Sequence, residues 1–340
     1  MNKNLFFGMA LMAMLMSFQG RSQTNDFYDD DPAHLLGVPR ILVTGEVSNP
    51  GYVDLEKLPL RSLICKEVRL AEGRNRFIGA YRYEGYSLYD ILNSFQLNKM
   101  NQSKFPPIID LYVVITSETG EKVVLSWGEI YYPVHRHEIM IATQVARIVP
   151  TKSKELWPLP EVNKLVVATD LVTERNISRP VKIEVLSYSG NYEINKGMSP
   201  MVSPEIRIKS GDKQLAAISG GLPENSTVQN YSTVFYGRGM GIHGISDFKG
   251  VALKDALKAH FPVDKAFLQE GLVVVAALDG YRAVYSFSEI FNRSDQEQVL
   301  LVDEGLNDGG RFRLFPAADF FSDRAVKSVM EIRVEKTMSN

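Results

Sequence analysis

Residues 85–150 of this chain recur, landmark by landmark, at residues 250–316, and a duplication on that scale commits the chain to two half-length units of one design set in tandem. Gly85-Tyr86-Ser87-Leu88-Tyr89-Asp90-Ile91-Leu92 opens a short helix, and Gly250-Val251-Ala252-Leu253-Lys254-Asp255-Ala256-Leu257 does so again 165 positions later. The apolar, β-prone runs Leu111-Tyr112-Val113-Val114-Ile115 and Leu272-Val273-Val274-Val275-Ala276 each lead to a turn glycine, Gly120 or Gly280, and read as strands entering hairpins. Beyond the turns stand Ser126-Trp127-Gly128-Glu129 and Ser286-Phe287-Ser288-Glu289. Both are Ser-x-x-Glu capping boxes, in which hydroxyl and carboxylate each satisfy a free N–H at a helix start. Arg147-Ile148-Val149-Pro150 and Arg313-Leu314-Phe315-Pro316 close the series. The period is far too long for a solenoid.

Each unit, at this chain length, can bury a core of its own. Ile41-Leu42-Val43-Thr44-Gly45-Glu46-Val47, running into the turn Ser48-Asn49-Pro50-Gly51, predicts an entry strand for the first unit. Val181-Lys182-Ile183-Glu184-Val185, before Ser189-Gly190-Asn191, predicts the counterpart in the second. The expected units are therefore 38–175 and 176–340, divided within the polar stretch Asp170 to Pro180. Strand signals outnumber helix signals and no helical pattern runs much past ten residues, so the expected class is α+β: two tandem domains, each a mixed β-sheet with short helices.

The amino terminus supplies an address. One lysine, Lys3, precedes the apolar run Leu5 to Phe18, and Gly20-Arg21-Ser22 places small residues before Gln23. The pattern predicts a signal peptide over 1–22, too short for a comfortable membrane span, and no transmembrane segment in the mature chain. Residues 23–37, with Asp26, Asp29, Asp30 and Asp31, read as a flexible leader. Cleavage removes two basic residues, Lys3 and Arg21, and no acidic one, which leaves a formal charge of −4. Nothing in that balance points to nucleic acid or an anionic membrane. The single cysteine, Cys65, excludes an intramolecular disulfide and, between Ile64 and Val68-Arg69-Leu70, reads as a small buried thiol. A large exported chain so poor in cysteine suits the periplasm or surface of a Gram-negative bacterium.

The entry strand ending Thr-Gly-Glu-Val-x-x-Pro-Gly, the Gly-x-x-Leu-x-Asp-x-Leu helix, the valine-rich strand with its glycine turn, and the closing Arg313-Leu314-Phe315-Pro316 followed by Val326-Lys327 together resemble the molybdopterin-binding domain of the sulfite oxidase family. The resemblance spans most of 39–170 and, less continuously, 181–336. It implies a mixed α+β fold and a molybdenum pterin cofactor. In that family a cysteine thiolate ligates the metal about a dozen residues before the glycine matched by Gly85 or Gly250, and this chain has no cysteine at either place. Cys65 lies 20 residues before Gly85. Two functions stay open: a binding or assembly module for a small anion or an envelope protein partner, on a fold that has lost the metal ligand, or a molybdopterin-dependent oxidoreductase.

The sharpest local feature is the glycine-rich loop Gly237 to Gly244, where backbone N–H groups can approach a ligand and Arg238 offers a fork suited to phosphate or carboxylate. The candidate ligand-binding residues are Arg238 as anchor with Gly239, Met240 and His243, Arg313 behind them, and Arg74 and Arg76 as their unit-one equivalents. His135-Arg136-His137 beside Pro133 reads as a polar turn. Gly-x-Ser-x-Gly, phosphate-loop and His-Glu-x-x-His patterns are absent from the sequence.

Overall fold

The computed structural model describes residues 29–71, 74–223, 226–306 and 311–337, so the expected signal peptide, its cleavage site and Asp26 lie outside the described residues. The first half carries β1 (Asp29–Asp30), β2 (His34–Leu35), β3 (Leu42–Gly45), β4 (Gly51–Tyr52), β5 (Arg61–Ala71), β6 (Arg74–Ser87), helix α1 (Leu88–Leu92), β7 (Leu111–Ser117), β8 (Lys122–Ser126), helix α2 (Trp127–Tyr131), β9 (Ile139–Val149), β10 (Lys164–Val167) and β11 (Pro180–Ser187). The second carries β12 (Glu205–Ser210), β13 (Lys213–Ser219), β14 (Val228–Gly237), β15 (Gly241–Ala252), helices α3 (Leu253–Leu257) and α4 (Lys265–Glu270), β16 (Gly271–Ala277), β17 (Arg282–Ser286), helix α5 (Phe287–Phe291), β18 (Val299–Asp303), β19 (Phe312–Pro316) and β20 (Val329–Lys336).

The duplication is real, and the ladders give its register. Gly85 of β6 faces Ala142 of β9, which faces Lys164 of β10; Gly250 of β15 faces Val302 of β18, which faces Arg313 of β19. One sheet of each repeat is the set β4-β3-β11-β7-β8 or β13-β12-β20-β16-β17; the other is built on β5-β6-β9 with β10, or on β14-β15-β18-β19. The strand Val181–Val185, read from the sequence as opening the second unit, instead lies in β11, parallel to β3 and antiparallel to β7. It closes the first repeat as β20, parallel to β12 and antiparallel to β16, closes the second. Residues 29–36, read as leader, border the first repeat: Asp29 pairs with Val149, His34 with Val145, and Leu36 is buried.

The α+β expectation with two separate domains is overturned. Strand makes up 47% of the structure and helix 12%, in four small sheets arranged like the blades of a propeller. The helix signals are real but each yields five or six residues, capped by Ser126 and Glu129 in α2 and by Ser286 and Glu289 in α5. Such single turns are too short to stand without tertiary packing. β16 is buried along its whole length, which its unbroken apolar sequence requires, since both faces of the strand are covered. The two halves also share apolar cores. Phe105, Ile109, Tyr132 and Val172 pack into the main core of the second half, and Val114, Val124 and Tyr188 form one cluster with Leu272, Val274 and Val284.

At the seam the repeats exchange polar groups symmetrically. Arg175 grips Asp170 (Nε–Oδ2 2.9 Å, Nη2–Oδ1 2.7 Å) and Glu129 of its own repeat, then donates to Ser286 Oγ of the other at 3.0 Å. Arg324, 149 positions later, grips Asp319 (2.7 and 2.6 Å) and Glu289 (2.6 Å), and donates to Ser126 Oγ at 3.3 Å. Ser126 Oγ in turn donates to Glu289 Oε2 at 2.7 Å. The backbone repeats the swap: Leu171 N–H donates to Asn292 C=O, and Phe320 N–H to Tyr132 C=O, both at 2.7 Å. Both guanidiniums are buried. This is the self-complementary geometry of a twofold dimer, held within one chain.

Candidate ligand cleft

The register that superposes the two repeats identifies where they have diverged. In the first, the cation Lys164 on β10 is neutralised by Glu67 on β5 (2.6 Å), and Tyr83 and Asn176 donate to the same carboxylate at 2.8 and 3.1 Å. Burial pushes the Glu67 carboxyl up, but Lys164, Tyr83 and Asn176 more than offset it and hold it below the usual carboxylate range. The 14 residues between β9 and β10 fold over this cluster. Trp157 donates its indole N–H to Ile148 C=O at 3.0 Å, and Tyr81 donates its hydroxyl to Pro158 C=O at 2.5 Å. Trp157 and Leu159 pack on the apolar group that holds Cys65, Tyr81 and Tyr83.

The second repeat replaces each part of that plug. Arg313 stands at the position of Lys164, Phe235 at Glu67, Phe248 at Tyr83 and Ala325 at Asn176. Only eight residues, 304–311, join β18 to β19, against the 14 that join β9 to β10. The result is a pair of adjoining hollows of about 290 and 620 Å³ that share Phe235, His243, Arg313 and Lys327 as their common wall. Arg313 lies against the faces of Phe235 and Phe248 (4.7 and 5.3 Å to the ring centroids) and donates to Glu304 at 3.0 Å. Its Nε is buried and donates to nothing among the described residues.

His243 reaches the cleft through a bulge. The β14–β15 ladder slips between Phe235/Gly244 and Tyr236/Ile242, leaving His243 as the extra residue; the β5–β6 ladder slips at the matching place, at Ile78. A bulge re-aims one side chain. Here the imidazole lies over Gly237, where an added Cβ would stand 2.3 Å from Nε2. Gly237 holds the position of Arg69, whose guanidinium fills the corresponding space in the first repeat by bonding Glu174 and the Asn176 carbonyl.

Two acids around the cleft are paired with arginines and three accept a single hydrogen bond. Asp303 pairs with Arg311, Glu304 with Arg313, Asp247 accepts from the Ser232 hydroxyl, Asp323 accepts from the Arg238 N–H (3.3 Å), and Asp279 from the Tyr281 N–H (3.0 Å). Arg313 Nε has no hydrogen-bond partner, and the ammoniums of Lys327 and Lys249, like the carboxylates of Asp247, Asp279 and Asp323, have no ion-pair partner among the described residues. The lining thus sets ammoniums and carboxylates side by side.

Of the residues named from sequence, the structure brings His243 and Arg313 together in the cleft. Arg238, the expected anchor, sits at the exposed hairpin turn and contributes its backbone N–H to Asp323 rather than a side chain to the hollow. Gly239 and Met240 are exposed at the same tip. Arg74 and Arg76 are exposed near the turn of the β5–β6 hairpin and line neither hollow. Phe235, Lys249 and Lys327 were not among the sequence candidates. His137 Nδ1 lies 3.0 Å from Ser87 Oγ, but Ser87 is the buried cap of α1 and its hydroxyl already serves Asp90.

A molybdenum pterin held by thiolate does not fit these residues. The one thiol, Cys65, is buried in the plugged repeat; burial, with the Glu67 carboxylate beside it, pushes it up to about 12, so it is not a thiolate near neutral pH. Among the described residues no group of three or more His, Cys, Asp or Glu is disposed to hold a metal ion. No helix among them is long and apolar enough to cross a membrane.

No family model and no curated protein matches the chain. Among solved structures, the sulfane dehydrogenase SoxCD of Paracoccus pantotrophus is similar at 10% identity over 89% of this chain and 78% of its own, with a TM-score of 0.29.

Proposed function

We propose that this is an exported binding module in which the second repeat carries the site and the first serves as its scaffold. The observation that carries this reading is the divergence of two equivalent positions. Lys164 is paired with Glu67 and covered, whereas Arg313, paired with Glu304, borders an open cleft beside the unpaired ammonium of Lys327. The ligand is accordingly one that presents an anionic group to Arg313 and Lys327 while resting apolar surface on Phe235. Cys65 lies outside the cleft, so nothing here favours redox chemistry over binding.

The test is calorimetric titration of the mature protein with sodium sulfate and with succinate. One site per chain is expected, and Arg313→Ala should weaken it by about tenfold or more, as loss of a charge-assisted bond requires. Equal binding by wild type, Arg313→Ala and Lys327→Ala would place the site elsewhere.

A further inference from the structure

The smaller hollow lacks a cation that the first repeat supplies from its own chain. In the first repeat Glu174 accepts from the Leu70 N–H at 2.8 Å and from Arg69 Nη1 at 3.3 Å, and Arg69 Nη2 reaches on to the Asn176 carbonyl at 2.6 Å. One guanidinium thus bridges a carboxylate and a carbonyl. In the second repeat the hairpin register puts Gly237 at Arg69 and Arg238 at Leu70, and the offset that relates Arg175 to Arg324 puts Asp323 at Glu174 and Ala325 at Asn176. The backbone half of the arrangement persists, since the Arg238 N–H donates to Asp323 at 3.3 Å. The guanidinium does not, because a glycine stands in its place. No other side chain replaces it among the described residues: Lys327 and His243, on the same wall, form no ion pair with Asp323, and the Ala325 carbonyl accepts no hydrogen bond.

We propose that the smaller hollow takes a ligand bearing a guanidinium, seated between the Asp323 carboxylate and the Ala325 carbonyl in the place that Arg69 fills in the first repeat. This rests on the reading of the cleft as the binding site and names its ligand class: a small guanidino acid, whose carboxylate meets Lys327 and Arg313 while its guanidinium meets Asp323. The charges of the lining favour such a ligand over a plain anion. With Arg313 paired to Glu304, the hollow sets two carboxylates, Asp279 and Asp323, against one ammonium, Lys327. An anion alone deepens that deficit of positive charge, and a ligand carrying both charges does not. A guanidinium suits the two acceptors because its N–H groups form a rigid planar fork, which an ammonium lacks. His243 lies over Gly237, where the stem of Arg69 begins, so the hollow keeps the acceptors of that guanidinium without its tether. At about 290 Å³ it is near the lower bound for pockets that take drug-sized molecules, which favours a ligand of few heavy atoms. None of its lining residues belongs to the β18–β19 loop.

The experiment is calorimetric titration of the mature protein with γ-guanidinobutyrate, with hexanoate, which keeps the carboxylate alone, with propylguanidinium, which keeps the cation alone, and with sodium sulfate. Wild type should bind the guanidino acid about tenfold or more tighter than hexanoate, the yield of one charge-assisted bond. That preference should vanish in Asp323→Asn. It should vanish also in the double substitution Gly237→Arg with His243→Ile, which copies Arg69 and Ile78 of the first repeat and fills the place from within. Hexanoate binding as tight as that of the guanidino acid, with sulfate still bound, would overturn the guanidinium place and leave the anion site standing. A preference undiminished in Asp323→Asn would overturn it equally. Binding of propylguanidinium that Asp323→Asn abolishes, in a protein that binds no sulfate, would uphold the guanidinium place and remove the anion reading. Binding of none of the four would remove both.

Discussion

Replacing Arg324 with methionine removes the cation at the centre of the seam while keeping most of its volume. Asp319 and Glu289, whose side chains are 1% and 2% exposed, would then be buried without a counter-charge, and Ser126 would lose its donor from the other repeat. Breaking a buried pair in this way costs about 3–5 kcal/mol, a large share of the stability of an ordinary domain. The deficit must also depend on pH. Burial already raises Asp319 to about 6 with the guanidinium in place, and without it that carboxyl rises further above its unfolded value near 4. A carboxyl raised on folding favours the native state below its unfolded pKa and loses that favour as pH rises toward the folded one. Each unit of that interval contributes about 1.4 kcal/mol per group. Urea denaturation of wild type and Arg324→Met at pH 5 and pH 8 should therefore show a smaller gap at pH 5, with one cooperative transition for both repeats. A deficit below about 1 kcal/mol that is the same at both pH values would refute the account of the seam.

Gly128→Ala should cost about 1–3 kcal/mol by overpacking, because its Cβ would fall 2.2 Å from Arg324 Cζ; chemical denaturation checks it, and Ser288→Gly at the equivalent position should cost less. Gly237→Ala should change stability by less than about 1 kcal/mol, since the His243 ring can swing away, yet weaken anion binding several-fold in the calorimeter. Arg238→Ala and Arg74→Ala should leave that binding within about twofold of wild type, as both side chains stand outside the cleft. Glu67→Gln leaves Lys164 buried without its partner and should destabilise by about 3 kcal/mol at pH 7. Because Glu67 is depressed on folding, its contribution is present above about pH 4 and lost as pH falls further, so the gap between variant and wild type should close in acid.

The hairpins and capping boxes were legible because each depends on a few adjacent residues, and Ser126/Ser286 kept their spacing. The closing landmark misled. Arg147–Pro150 and Arg313–Pro316 look alike in sequence, but Arg313 aligns with Lys164, since the Trp157 strap inserted into the first repeat shifts the offset from 160 to 149. Arg147 is occupied with Asp31 and the Trp157 carbonyl. The fold class was misjudged because helix starts announce themselves while helix ends do not: Ser286 and Glu289 promise a helix, and only packing limits α5 to five residues. The seam had one readable sign, the recurrence of Asp-x-x-x-x-Arg at Asp170/Arg175 and Asp319/Arg324, but which carboxylates each arginine meets is a long-range matter. The cleft was half legible. Its glycines and His243 marked the hairpin, whereas Phe235 and Ala325 matter only as absences of Glu67 and Asn176, a contrast visible once the register is known.

The exchange at the seam also sets a timetable. During synthesis Arg175 emerges 111 residues before Ser286, an interval on the order of ten seconds at ordinary elongation rates. Until the later serine arrives, the leading half carries a polar centre lacking its cross-repeat partner and, on Val114 and Val124, an apolar face whose cover, Leu272, Val274 and Val284, has yet to be made. A fragment ending at Ser187 should therefore self-associate through that uncovered face, which size-exclusion chromatography would show.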